Sequence, residues 1–195
     1  GIMEAIFKNA GQICSAGSRL IVEEAIAEPL LERLVAGAQA LRPGHGLGDA
    51  GIGPINSPAQ LARVAAHVDR ARAAGNRILT GGAVGPPEDC GGGWFYQPTI
   101  VLAAGPDDPL VQEEIFGPVL TVQVMPDFEA AVVAANATSY ALVAGIYTRD
   151  HAKAWRFARA VDAGQVYINE FFAGGIAMPF GGNRKSGFGR AKGMA

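Results

Sequence analysis

Val119-Leu120-Thr121-Val122-Gln123-Val124 is an apolar run broken only by Thr121 and Gln123. Parallel strands covered on both faces read this way, because neither face meets water. Working outward, Asp127 to Ala135 has the pattern of a helix with an aspartate cap. Leu142 to Thr148 reads as a strand, Asp150 to Val161 as a helix and Gln165 to Ile168 as a strand. Upstream, Ile2, Ile6 and Phe7 have helical spacing, which ends near Asn9-Ala10-Gly11. Leu20-Ile21-Val22 is a short buried strand. Ala27 to Leu41 is helical, with Leu30, Leu31, Leu34, Val35 and Ala38 on one face. After the break at Arg42 to Asp49, Ser57-Pro58 opens a helix that runs to about Ala74. Arg77 to Thr80 is a strand, Gly85 to Gly93 a loop, and Trp94 to Val101 strand-like. The last stretch, Phe171 to Gly193, is glycine-rich and irregular. Strands alternate with amphipathic helices and nothing repeats. That predicts an α/β layer fold with a largely parallel sheet.

Composition narrows the function. The chain has 195 residues, of which 49% are hydrophobic and 17% charged, so it can bury a sizeable core. Lys+Arg is 16 and Asp+Glu is 18, a formal net charge of −2. A balance so near zero argues against nucleic acid or an anionic membrane as main partner. No apolar run approaches the ~18 residues of a membrane span, and the stretch opens on no basic-then-apolar pattern. Cys14 and Cys90 could form one disulfide, but two cysteines do not make a secreted scaffold, and a reducing cytoplasm is the expectation. His45, His67 and His151 are isolated, and no Cys/His spacing resembles a zinc site; no metal is expected. The 35 alanines fit a GC-rich bacterial genome.

Three segments could carry chemistry. In Asn9-Ala10-Gly11-Gln12-Ile13-Cys14-Ser15-Ala16 a cysteine follows a helix end among small residues. A thiol so placed could attack a carbonyl, with a backbone N–H receiving the developing oxyanion. A small buried hydrophobe fits the same residues. A nucleophilic thiol also needs a base or a favourable field, and no histidine lies nearby in sequence. Past a helix C-terminus the dipole disfavours an anion. In Gln112-Glu113-Glu114-Ile115-Phe116-Gly117-Pro118 a carboxylate could accept the hydroxyls of a ribose and an aromatic could support a flat ring. A solvated acidic turn is the plainer reading. In Pro179 to Arg190, glycines and basic residues could cradle phosphate. The spacing is wrong for a dinucleotide fingerprint, so a packed loop is preferred.

In this order and at these separations, the three segments resemble the aldehyde dehydrogenase superfamily, specifically its C-terminal catalytic domain. Asn9 to Ala16 is similar to the family's nucleophile segment, and Glu113 to Pro118 to its Glu-Ile-Phe-Gly-Pro segment. Asn136 to Tyr140 is similar to its Asn-x-x-x-Tyr-Gly-Leu stretch, with Ala141 in place of Gly. Tyr167-Ile168-Asn169 and Pro179 to Gly189 resemble the closing motifs. Ala177 and Ala191 stand where many members carry Glu.

The resemblance implies a three-layer fold: a largely parallel twisted sheet with helices on both faces. It implies oxidation of an aldehyde to a carboxylic acid with NAD or NADP, through a thiohemiacetal and a thioester on Cys14. Glu114 would hold the ribose on the nicotinamide side, and Phe116 would lie against that end of the cofactor. Asn169 would help position the active site, and Phe171 and Phe172 would border the substrate tunnel. It further implies that 1–195 is the thiol-bearing domain of a longer enzyme. The Rossmann-type cofactor domain, the glutamate general base and the oligomerisation segments would lie outside this sequence, and the piece alone would be inactive. The expected partners are a small-molecule aldehyde and further copies of the chain, as a dimer or tetramer. Two alternatives remain: a CoA-acylating semialdehyde dehydrogenase, and a non-catalytic domain that retains the fold.

Overall fold

A computed structural model of the chain describes residues 1–48, 50–85, 92–103 and 105–193. Cys90 and most of the Gly85–Gly93 loop lie outside the described residues. The chain divides into two compact units, Ile2–Pro126 and Asp127–Ala195 together with Gly1.

The first unit is built on a four-stranded mixed sheet of order β1-β4-β3-β2. Its strands are β1 (Arg19–Glu23), β2 (Arg77–Thr80), β3 (Thr99–Leu102) and β4 (Val119–Met125). β4 is central and runs parallel to both β1 and β3, with Ile21 opposite Gln123 and Ile100 opposite Leu120. β2 pairs antiparallel with β3 at the edge. All five residues from Val119 to Gln123 are buried, so both faces of β4 are covered, as its apolar run predicts. A buried polar side chain on such a strand needs a partner. Thr121 finds one, its hydroxyl donating to the Leu110 carbonyl at 3.1 Å. Gln123 Oε1 has none among the described residues.

Helices α1 (Ile2–Phe7), α2 (Glu24–Ala40) and α3 (Pro58–Ala73) add to the core, as do Ile52, Ile55, Tyr96, Leu110 and Ile115 from between them and the strands. Ile6, Leu34, Val64, Val68, Ile100, Leu120 and Val122 belong to one buried cluster. Each such side chain contributes about 1.5–3 kcal/mol by leaving water. α2 starts at Glu24 rather than at Ala27. Pro29 lies inside it, so the Ala25 carbonyl loses the donor four residues on, a loss tolerated close to a helix start. α3 begins as expected: Ser57 Oγ accepts the Gln60 amide at 3.2 Å, and Pro58 follows it. A four-residue helix, α4 (Pro109–Gln112), is too short to show a period and was not expected; Asp108 caps it. Of the strand-like run from Trp94, only Thr99 to Leu102 forms strand.

In the second unit α5 (Phe128–Asn136) and α6 (His151–Ala160) are capped by Asp127 and Asp150, whose carboxylates accept the Ala130 and Lys153 amides. β6 (Val143–Ile146) and β7 (Gln165–Ile168) pair in parallel, joined through α6. β5 (Tyr140–Ala141) pairs antiparallel with β8 (Asn183–Arg184), a strand inside the stretch read as irregular. Two residues carry no detectable alternation, so β8 could not be read from sequence. The backbone packs very closely here. A Cβ on Gly164 would lie 1.6 Å from the Gly181 carbonyl oxygen, so only glycine fits. No helix among the described residues is long and apolar enough to cross a membrane.

Candidate active site

The nucleophile candidate sits on a turn made by unusual backbone. Asn9, Ala10 and Gly11 all have positive φ (51°, 53° and 72°), which stops the helix and turns the chain. Asn9 Nδ2 closes the bend on the Gln12 carbonyl at 3.0 Å. The Ala16 amide donates to the Ile13 carbonyl at 2.9 Å, and Cys14 occupies the second position of that turn. The Gly17 amide ties the turn back to the Ala5 carbonyl of α1. Cys14 is a free, exposed thiol, which removes the reading of it as a buried hydrophobe. No acceptor among the described residues takes its backbone N–H, which leaves that donor open for a developing oxyanion. Glu4, the nearest upstream carboxylate, lies 3.9 Å from Lys8 on the next turn of helix.

The acidic turn lies directly against this segment. A Cβ on Gly11 would stand 2.1 Å from the Gly117 carbonyl oxygen, so the two backbones touch and Gly11 is required. A Cβ on Gly117 would in turn strike Val64 of α3 at 2.5 Å. The turn treats its two carboxylates differently. Glu113 accepts from Arg70 Nη2 at 3.2 Å. Glu114 is exposed and has no partner among the described residues. Phe116 is half-buried and has φ 56°, a conformation that is a genuine outlier for a bulky residue.

Beneath Glu113, His67 is 7% exposed. Burial first, and then the Arg70 charge, hold its pKa below the ordinary histidine value, against a smaller upward pull from Glu113. Arg70 Nη2 lies 3.0 Å from His67 Nδ1. Guanidinium can only donate, so Nδ1 accepts and the proton of neutral His67 sits on Nε2.

Two glutamines that the sequence did not single out join these pieces. Gln12 Nε2 donates to Pro54 O at 3.1 Å and to Asn9 O at 3.2 Å, while its Oε1 accepts the Asn56 amide at 2.8 Å. Gln60, on the first turn of α3, donates from Nε2 to the carbonyls of Ile115 and Phe116, each at 2.9 Å. The Ser57-x-x-Gln60 spacing matches a capping box, a local pattern that carries no sign of the acidic turn.

The remaining candidates belong to the second unit. Asn169 has φ 57°, and its side chain pairs with both backbone groups of Thr148, accepting at 2.8 Å and donating at 2.9 Å. It thereby prolongs the β6–β7 pairing by one rung. Phe171 packs tilted against Tyr167 at 5.0 Å and meets Phe172 edge-on at 5.1 Å. The two arginines of the closing stretch are committed internally. Arg184 donates to Asp162, to Asn136 O at 2.8 Å and to Thr138 O at 2.7 Å. Arg190 donates to Gly182 O at 2.7 Å and to Asn183 Oδ1 at 2.8 Å. The stretch is nevertheless only partly packed: Gly182 is buried, while Lys185 and Phe188 are exposed.

A mixed α/β sheet with an exposed cysteine turn against an acidic aromatic turn defines a class, and comparison supplies the family. The aldehyde dehydrogenase family model matches residues 1–195, and the chain belongs to that family. It is 36% identical to a betaine aldehyde dehydrogenase of Rhizobium leguminosarum bv. trifolii, over 100% of this chain and 40% of that protein. A betaine aldehyde dehydrogenase from Staphylococcus aureus, solved in complex with NAD+ and with a BME-modified cysteine, superposes with TM-score 0.95 at 33% identity. That likeness covers 98% of this chain and 39% of that one. An NAD-dependent aldehyde dehydrogenase from Sinorhizobium meliloti gives TM-score 0.94 at 35% identity, over 99% of this chain and 38% of that one. The chain thus spans about two fifths of the length of the relatives it matches.

Proposed function

We propose that this chain is the thiol-bearing part of an NAD-dependent aldehyde dehydrogenase. One observation carries the reading: the exposed Cys14 turn touches, through Gly11 and Gly117, the turn that bears Glu114 and Phe116. The residues of that second turn fit a nicotinamide nucleotide. An unpartnered carboxylate suits the two hydroxyls of a ribose, and a half-buried aromatic suits a flat ring. When bound, NAD+ supplies the acceptor for the hydride that leaves the substrate carbon.

The covalent steps run on Cys14. The Cys14 thiolate adds to the aldehyde carbon, and the carbonyl oxygen becomes an oxyanion that the Cys14 backbone N–H can receive. Loss of hydride from that carbon restores the carbonyl as a thioester on Sγ. Water then adds to the thioester, Cys14 leaves as the thiolate, and the product is a carboxylic acid. The base that activates water belongs, on this reading, to a part of the protein outside residues 1–195. The isolated piece therefore turns over no aldehyde. Betaine aldehyde is the first substrate to try, since relatives 36–38% identical are named for it.

The test is Cys14→Ser in the full-length enzyme. Turnover is expected to fall at least ~10³-fold, as it does when a nucleophile is removed, with NAD+ binding retained. Turnover within tenfold of wild type removes Cys14 from the chemistry. Thioester release that requires CoA rather than water would move the enzyme to the acylating class.

A further inference from the structure

Phe116 holds a backbone conformation that a phenylalanine avoids, and something must hold it there. Left-handed φ at a non-glycine residue raises the energy by about 1–3 kcal/mol and persists only where the surroundings over-determine it. The two peptide carbonyls of that bend, Ile115 O and Phe116 O, both accept from one nitrogen, Nε2 of Gln60, at 2.9 Å each. Both hydrogens of the Gln60 amide nitrogen are thereby directed at the bend. Gln60 also departs from the role its position suggests. In a capping box the residue at this position returns to the backbone N–H of the cap. Ser57 does its half by accepting the Gln60 amide. The Gln60 side chain instead reaches across to a segment 55 residues further along the chain.

We propose that Gln60 is a positioning residue for the cofactor-facing turn. By donating to both carbonyls it locks Phe116 at positive φ, and so sets where the Phe116 ring and the neighbouring Glu114 carboxylate stand. This rests on the functional reading above. α3 is a stiff mount for the purpose: Val64 packs on Gly117, and Arg70 grips Glu113 about 15 Å further along the axis at ~1.5 Å per residue. Without Gln60 the bend keeps its ends fixed but loses the contact that pins its middle.

The experiment uses Gln60→Met in the full-length enzyme, which keeps the volume and removes the donors. NAD+ binding measured by titration is expected to weaken about tenfold, an order typical of losing two hydrogen bonds that organise a site. The KM for the aldehyde, and the rate at which iodoacetamide labels Cys14 in the cofactor-free enzyme, should stay within twofold. A crystal structure of the cofactor-free variant is expected to show Phe116 relaxed to negative φ. In a Phe116→Gly background, where positive φ carries no strain, adding Gln60→Met should weaken NAD+ binding less than twofold further. Should the Met variant not fold, Gln60→Glu, an acceptor facing two acceptors, provides the same measurements. Unchanged NAD+ affinity, Phe116 still at positive φ, or additive effects in the two backgrounds each overturn the proposal. The functional reading fails separately, if the wild-type enzyme binds no NAD+ or survives Cys14→Ser.

Discussion

The acidic turn Gln112–Pro118 and the closing stretch Pro179–Arg190 look alike on paper. Each combines glycine, proline, phenylalanine and charge, and each could be a ligand cradle or packing. The fold treats them in opposite ways. In the closing stretch the guanidinium groups of Arg184 and Arg190 are both taken up by backbone carbonyls and by Asp162 and Asn183. In the acidic turn one carboxylate is taken up by Arg70 and the next, Glu114, is left over. A charge with internal partners holds the chain together. A charge without them is available to a ligand. Which of the two a residue becomes depends on what the fold brings beside it.

The largest way to break this contrast is Arg184→Ala. It removes the donor to two carbonyls and to Asp162, and an unfolding midpoint in urea should report a loss of about 2–3 kcal/mol. The same clasp carries a pH signature. Hydrogen bonds from Asn183 and then from Arg184 hold the Asp162 carboxyl below its ordinary value. A lowered folded pKa contributes stability that is complete above the unfolded carboxylate value and is lost as pH falls through the folded one. Asp162→Asn should therefore flatten the acid limb of a stability–pH curve. If Arg184→Ala instead left stability unchanged while weakening NAD+, the closing stretch would be a ligand site after all.

Glu114→Gln sharpens the other half. Replacing a charged acceptor by a neutral amide should raise the KM for NAD+ about tenfold, while stability stays within ~0.5 kcal/mol. A stability loss matching that of Arg184→Ala would place Glu114 among the structural charges. The smallest effect belongs to Arg70→Met. Its ion pair with Glu113 is half exposed on both sides, and such pairs are worth about 0–1 kcal/mol. A modest fall in melting temperature with Cys14 labelling unchanged is the expected outcome.

The strands around the sheet were legible because apolar side chains leave a periodic trace. Val119 to Gln123 and Arg77 to Thr80 appear where their composition puts them. Helix starts were legible where a short polar side chain precedes the first turn, as at Ser57, Asp127 and Asp150. α4 and β8 were not, because four and two residues are too few for a period to register. Among the site candidates, Cys14 and Glu114 stood out by residue type and family resemblance. Gln12 and Gln60 did not, because a glutamine looks the same whether it faces water or bridges two loops. Nor did the sequence hint that Phe116 and Phe172 have left-handed backbone. That conformation is imposed on them by contacts and is not preferred by the residues themselves.

By itself, then, the order of residues determined what acts locally: the alternation of strand and helix, the caps, the chemical groups on offer and the family they resemble. Only the tertiary structure decided which of those groups remained free. Gly11 abutting Gly117, Arg70 taking Glu113 but not Glu114, and Gln60 reaching Phe116 all join residues far apart in the chain. Such pairings are settled by close packing and by the need of buried polar atoms for partners, and neither is written in any single stretch of sequence.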